Sequence, residues 1–106
     1  MPHYLFRASY SQDGLRGVLK EGAASRVGAV QTLVQSLGGR VESCYWAFGA
    51  DDFIMIAELP DNQAAAAAAT TVGASGTGSI TTTVLLTADE IDEARGRRGA
   101  YRAPGA

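Results

Sequence analysis

Two adjacent carboxylates, Asp51 and Asp52, sit in the stretch "YWAFGADDFIMI" (45–56), between a pair of aromatics and an apolar run. Side-by-side carboxylates sequestered from water raise each other's pKa, which is what a general base needs. Aspartate is also an ordinary turn residue, because its side chain hydrogen-bonds the nearby backbone. Asp51 and Asp52 are therefore the candidate catalytic residues, with turn-building as the competing role. Just ahead of them, Tyr45 and Trp46 are neighbours in an expected strand, so their side chains point to opposite faces. Which of the two faces which layer is left open by the sequence; each either walls a flat ligand or packs. Arg7, in an expected first strand with His3 and Leu5 on the same face, needs a partner or water. It serves either as the anchor for a ligand carboxylate or as an ion-pair partner of Glu42 or Glu58. Arg7, Tyr45 and Trp46 are the candidate ligand-binding residues.

Other chemistry has little to work with. His3 is the only histidine and Cys44 the only thiol, so no Cys/His cluster exists to hold a transition metal. The expectation is no metal and no cofactor, with His3 an exposed residue at a strand start and Cys44 a buried strand residue. A single cysteine excludes an intrachain disulfide and fits a reducing compartment. The first residues, "MPHYLFRASY", lack the long apolar core of a signal peptide, and no run approaches a membrane span. The expected location is the cytoplasm, with no membrane partner. Net charge is −2, with acids and arginines intermixed, and the only basic cluster is "RGRRGAYR" (95–102). That is no footprint for nucleic acid, and the cluster reads as a solvated tail. One lysine against eight arginines, with many Ala and Gly, suggests a high-GC bacterial genome.

The elements that must position these residues follow from local patterns. "HYLFRASY" (3–10) is rich in strand-favouring types. Ser11 is placed to cap a short helical turn closed by Gly22. Ser25 is placed to cap a longer helix with Val27, Val30, Leu33, Val34 and Leu37 along one face, ended by Gly38-Gly39. Strands are expected over 40–48 and 52–59, joined by the turn Gly49-Ala50-Asp51. Asp61 or Asn62 caps a helix built on the run Ala64–Ala69, whose minimal side chains suit a very close approach to a sheet. Glycines 73, 76 and 78 end that helix. Residues 79–86 form the last strand, and Thr87 opens a short helix through a capping box with Glu90. The expected organisation is one domain over 1–95 and a tail over 96–106.

Two strand-helix-strand halves joined by a hairpin make a ferredoxin-like α+β sandwich of order βαββαβ, with both helices on one face of a four-stranded antiparallel sheet. The third strand, however, is apolar on both sides: Phe53, Met55, Ala57 and Leu59 alternate with Ile54 and Ile56. The fourth is similar. A sheet with one solvated face shows a clean apolar/polar alternation instead. The chain has no elements left to cover the second face, so a homodimer or higher homo-oligomer is the expected partner state.

Several stretches, from "YLFRASY", "LKEG" and "SLGGRVES" through "YWAFGADDF" and "LPDNQAAAAA" to "TTTVLLTADEIDEA" and "YRAPGA", resemble the GYD domain family of the dimeric α+β barrel superfamily, end to end. The family takes its name from a Gly-Tyr-Asp at the hairpin. In this chain Asp51 stands where the tyrosine would be, and Asp52 matches the aspartate, so a role needing that phenol does not carry over. The resemblance implies fold and assembly; superfamily relatives include cofactor-independent monooxygenases, isomerases, haem-dependent enzymes and ligand-sensing domains. Two functions follow as expectations. The first is a homo-oligomeric module binding a small aromatic or carboxylate-bearing metabolite between sheet and helices. The second is a cofactor-independent monooxygenase or isomerase.

Overall fold

The computed structural model describes residues 1–106. Its elements run β1 (His3–Tyr10), α1 (Gln12–Glu21), α2 (Ala23–Ser36), β2 (Arg40–Trp46), β3 (Phe53–Glu58), α3 (Asn62–Ala74), β4 (Gly78–Leu85) and α4 (Ala88–Arg95). The four strands form one antiparallel sheet of order β2-β3-β1-β4, the ferredoxin-like arrangement. No helix is long and apolar enough to cross a membrane.

The helix starts follow the caps expected from sequence, with one exception. The Ser11 hydroxyl accepts the Gly14 N–H, the Asp61 carboxylate accepts the Ala64 N–H at 2.8 Å, and Thr87 and Glu90 close a reciprocal capping box. Ser25 does not cap α2. Gly22, at φ 92°, breaks the chain after α1, and α2 begins at once with no side-chain cap, leaving Ser25 inside the helix. Only glycine enters that backbone region without strain, so the α1–α2 corner is set by this residue. The hairpin also differs from its expected form: the strands stop at Trp46 and resume at Phe53, and the loop is pinned by the Ala47 N–H donating to the Asp52 carbonyl.

The core lies between the sheet and helices α2 and α3. Tyr4 and Phe6 of β1, with Phe53, Met55, Ala57 and Leu59 in and after β3, pack under Val34 of α2 and Ala65 and Ala68 of α3. The alanine helix does approach closely, and the residues facing the sheet are Ala65 and Ala68, at 2% and 3% exposure, while Ala66 is exposed. α2 lies over β2 and α3 over β4. The opposite sheet face carries Leu5, Ile54, Ile56 and Leu85, half-buried among themselves, with the exposed ring of Tyr45 beside Ile54.

A β-bulge settles the orientation of the aromatic pair. Val41 pairs with Ala57 and Ser43 with Ile56, so Glu42 is the extra residue in β2. One extra residue reverses the alternation beyond it. Val41, Cys44 and Trp46 all pack toward the helices as a result, and Tyr45 turns to the open face. α4 stands away from the body: every residue of it is exposed, and the radius of gyration of 16.9 Å exceeds the ~13 Å of a compact chain of this length.

A leucine at position 65 overfills the closest helix–sheet contact, and Ala65→Leu is expected to lower unfolding free energy by ~1–3 kcal/mol. Ala66→Leu, on the solvent side, changes it by less than about 0.5 kcal/mol. Urea titrations of the two variants check this; equal effects would mean that α3 is rotated from the position described.

Candidate functional site

The five residues singled out by sequence do not converge. Asp51 sits on the open-face side of the hairpin, 3.9 Å from the Arg7 guanidinium. Asp52 turns the other way, and its carboxylate accepts the Tyr10 backbone N–H at 2.8 Å. The Asp52 N–H in turn donates to the Ala8 carbonyl. The two acids are thus divided between different partners rather than paired. Arg7 meets neither Glu42 nor Glu58, because those acids are engaged elsewhere: His3 Nδ1 lies 2.8 Å from Glu42, and Arg40 bridges to Glu58. Trp46 is part of the helix-side packing, stacked on Tyr10 at 5.7 Å between ring centroids and edge-on to Phe53 at 5.1 Å. Its indole N–H is buried without an acceptor.

What the fold does build is a chamber of about 250 Å³ between α2, α3 and the sheet. Its floor is sheet, with Phe6, Phe53, Met55 and Ile80. Its walls are Val30 and Leu33 on one helix and Ala68 and Val72 on the other. The physical origin is in α3: alanines let the helix settle close to the strands but fill little of the lateral gap to α2. None of Arg7, Tyr45, Trp46, Asp51 or Asp52 lines this space.

At one end the chamber meets a second, polar depression beneath α1 that contains Asp13, Lys20 and Glu21. Tyr10, Arg26 and Thr77 line both spaces and so stand at the boundary, or doorway, between them. β1 delivers Tyr10 as its last inward residue, and the first turn of α2 delivers Arg26. The Thr77 carbonyl accepts the Ser11 N–H at 2.8 Å, and Gly14 presses against the same carbonyl so closely that a Cβ there would lie 2.0 Å from it. Arg26 is the only charged residue of the chamber lining, and its guanidinium lies 3.5 Å from Glu21 across the Gly22 corner. Burial pushes the Tyr10 phenol above its ordinary value; the Arg26 charge pulls it back, while Asp52 and Glu21 push it further up.

Tyr10, Arg26 and Thr77 escape sequence reading because they come from a strand end, a helix start and a loop. The signals available were that Tyr10 shares parity with Tyr4 and Phe6, and that Arg26 lies one residue from the apolar stripe of α2.

The split roles of the two acids predict unequal substitution costs. Asp52→Ala leaves the Tyr10 N–H without its acceptor, at an expected cost of about 1–3 kcal/mol. Asp51→Ala loses a partly exposed ion pair and changes stability by less than ~1 kcal/mol. Chemical denaturation of both variants checks the order; a larger loss at Asp51 would contradict it.

Neither the curated proteins nor the solved structures contain a match to this chain. The family model of the GYD domain matches residues 4–94 of the 106, spanning both strand-helix-strand halves, the hairpin and the doorway residues. On that coverage the chain belongs to the GYD domain family.

Proposed function

We propose that the protein is a homodimeric binding module that holds a small metabolite in the chamber between sheet and helices. The observation that carries this reading is the chamber itself: an apolar space of about 250 Å³ with a polar doorway at one end. A cavity of ~150 Å³ lined by aliphatic and aromatic side chains admits benzene, so this one takes a ring or short chain with a substituent. Enclosure in apolar walls with a few convergent polar groups is the usual form of a small-molecule site.

Binding is favoured over proton abstraction from carbon. The chamber lining holds no carboxylate and no histidine. Its one phenol, Tyr10, is pushed upward by burial, away from the range of a base working near neutral pH. The homodimer is the second part of the proposal, supported by the apolar centre of the open sheet face. Leu5, Ile54, Ile56 and Leu85 form that centre. His3, Arg40, Glu42 and Glu58 mark one end, and Arg7 and Asp51 the other. An apolar centre with charged margins is the pattern of a protein interface, and a two-fold pairing of identical faces is self-complementary. The outlying arm, with Leu86 at 55% and Ile91 at 50% exposure, supplies further apolar surface for the second copy.

Light scattering is expected to give about twice the 11.0 kDa chain mass. Ile56→Glu should halve the measured mass or unfold the chain; a dimer of unchanged stability would refute the placement of the interface. For the chamber, small amphiphilic acids should raise the melting temperature of the wild type but not of Val72→Phe, which fills the wall. An equal shift in both proteins, or none in the wild type, would refute the site.

A further inference from the structure

We infer that the doorway of Tyr10, Arg26 and Thr77 selects a monocarboxylate with an apolar body, and that the Glu21 side chain competes with that carboxylate for Arg26. This rests on the chamber being a ligand site, as proposed above.

Charge is the first argument. Arg26 is the only ionised group on the chamber lining, and it stands where the apolar space opens to the polar depression. A ligand whose body fills the chamber therefore places its polar end at a guanidinium. Of the other charges in the depression, Asp13 is already held by Arg16 at 3.1 Å, while Lys20 has no carboxylate partner. The charges lining the depression balance, Lys20 and Arg26 against Asp13 and Glu21, and Arg26 is the one among them that also reaches the chamber, so the positive potential is local to its guanidinium. The first turn of α2, which carries Arg26, has no acidic residue and no side-chain cap, so the helix dipole adds to that potential. A carboxylate is matched to the planar guanidinium fork, and an uncharged amide is not.

Geometry is the second argument. The Glu21 carboxylate is 3.5 Å from Arg26 Nη1, a loose contact between two half-exposed side chains. Such a pair contributes little and is readily exchanged for a better-seated anion. Glu21 is the last residue of α1, and the next is Gly22 at φ 92°. A carboxylate seated on the Arg26 guanidinium takes the place of the Glu21 carboxylate, so a bound acid and the Glu21 contact exclude one another.

Size is the third. The chamber admits a single ring or a short alkyl chain, not a long one, and only the charged end remains at the doorway. Tyr10 stacks directly on Trp46, the only tryptophan, so an occupant that moves Tyr10 alters the surroundings on which that indole's emission depends. An occupant touching Tyr10 is read by that fluorophore without labelling.

The test uses two matched pairs of probes, phenylacetate with phenylacetamide and hexanoate with hexanamide, titrated at neutral pH while Trp46 emission is followed. At least one acid is expected to bind saturably and about tenfold or more tighter than its own amide, the scale of one charge-assisted contact. Arg26→Gln should bring acid and amide to the same affinity, and Glu21→Gln should tighten the acid a few-fold by removing its competitor. Circular dichroism of each variant confirms that the fold is retained. Equal affinity of acid and amide in the wild type would overturn the selectivity while leaving the chamber as a binding site. Binding of both probes undiminished in Val72→Phe, or of neither probe in the wild type, would overturn the chamber and the selectivity together. Unchanged or weaker acid binding in Glu21→Gln would overturn the role given to Glu21.

Discussion

A sheet with an apolar centre on each face, in a chain whose packed helices cover only one of them, is the constraint from which this structure follows. Phe53, Met55 and Ala57 point from β3 into the helix-side core, and Ile54 and Ile56 point away from it. Burial of each such side chain is worth roughly 1.5–3 kcal/mol, so leaving the second set in water forgoes a large part of what a domain this small has available. The helix-side layer is therefore intramolecular, and the open face is the surface proposed above for a second copy. The same division separates the proposed ligand site from the proposed partner surface. Of the charges that looked chemically suggestive in sequence, Asp52 turns to the Tyr10 backbone N–H, and Arg7 and Asp51 lie on the open side. The chamber lies on the other.

Within the covered side, side-chain size decides where space remains. Ala65 and Ala68 bring α3 onto the strands, yet an alanine surface cannot reach across to α2. A helix built of larger residues would have stood farther from the sheet and filled the gap. The chamber is thus a consequence of the alanine run, and its polar doorway a consequence of where β1 ends and α2 begins. Glycine permits both junctions there: Gly14 allows the contact of α1 with the Thr77 carbonyl, and Gly22 allows the sharp restart of the helix.

The order of elements, the caps at Ser11, Asp61 and Thr87, and the two-sided apolar β3 were legible because each depends on residues close in sequence, whereas β4 presents exposed Thr81 and Thr83 on its open face and ends before Leu86. Three features were not. Ser25 looked like a helix start because serine caps well, but a glycine at positive φ needs no side-chain cap to begin a helix immediately after another. Tyr45 and Trp46 could not be assigned to faces because the bulge at Glu42 shifts the alternation by one, and no composition signal marks it. Arg7 was expected either to anchor a ligand carboxylate or to pair with Glu42 or Glu58, yet antiparallel register sets it against Ile54, gives Glu58 to His3 and leaves Asp51 as its ion-pair partner. Register is a long-range property, and so is the doorway. Arg26 and Tyr10 are separated by a whole helix in sequence and gain meaning only where α1 folds back between them.

The central claim is that ligand and partner copy occupy opposite faces of one sheet. Methyl carbon–proton spectra of the labelled protein, titrated with phenylacetate, test it most directly. The account predicts shifts concentrated at Met55, Ala68, Val72 and Ile80, with Leu5, Ile54 and Ile56 unmoved. Shifts centred on Ile54 and Ile56, with the chamber methyls unchanged, would contradict it and move the site to the face assigned to the second copy.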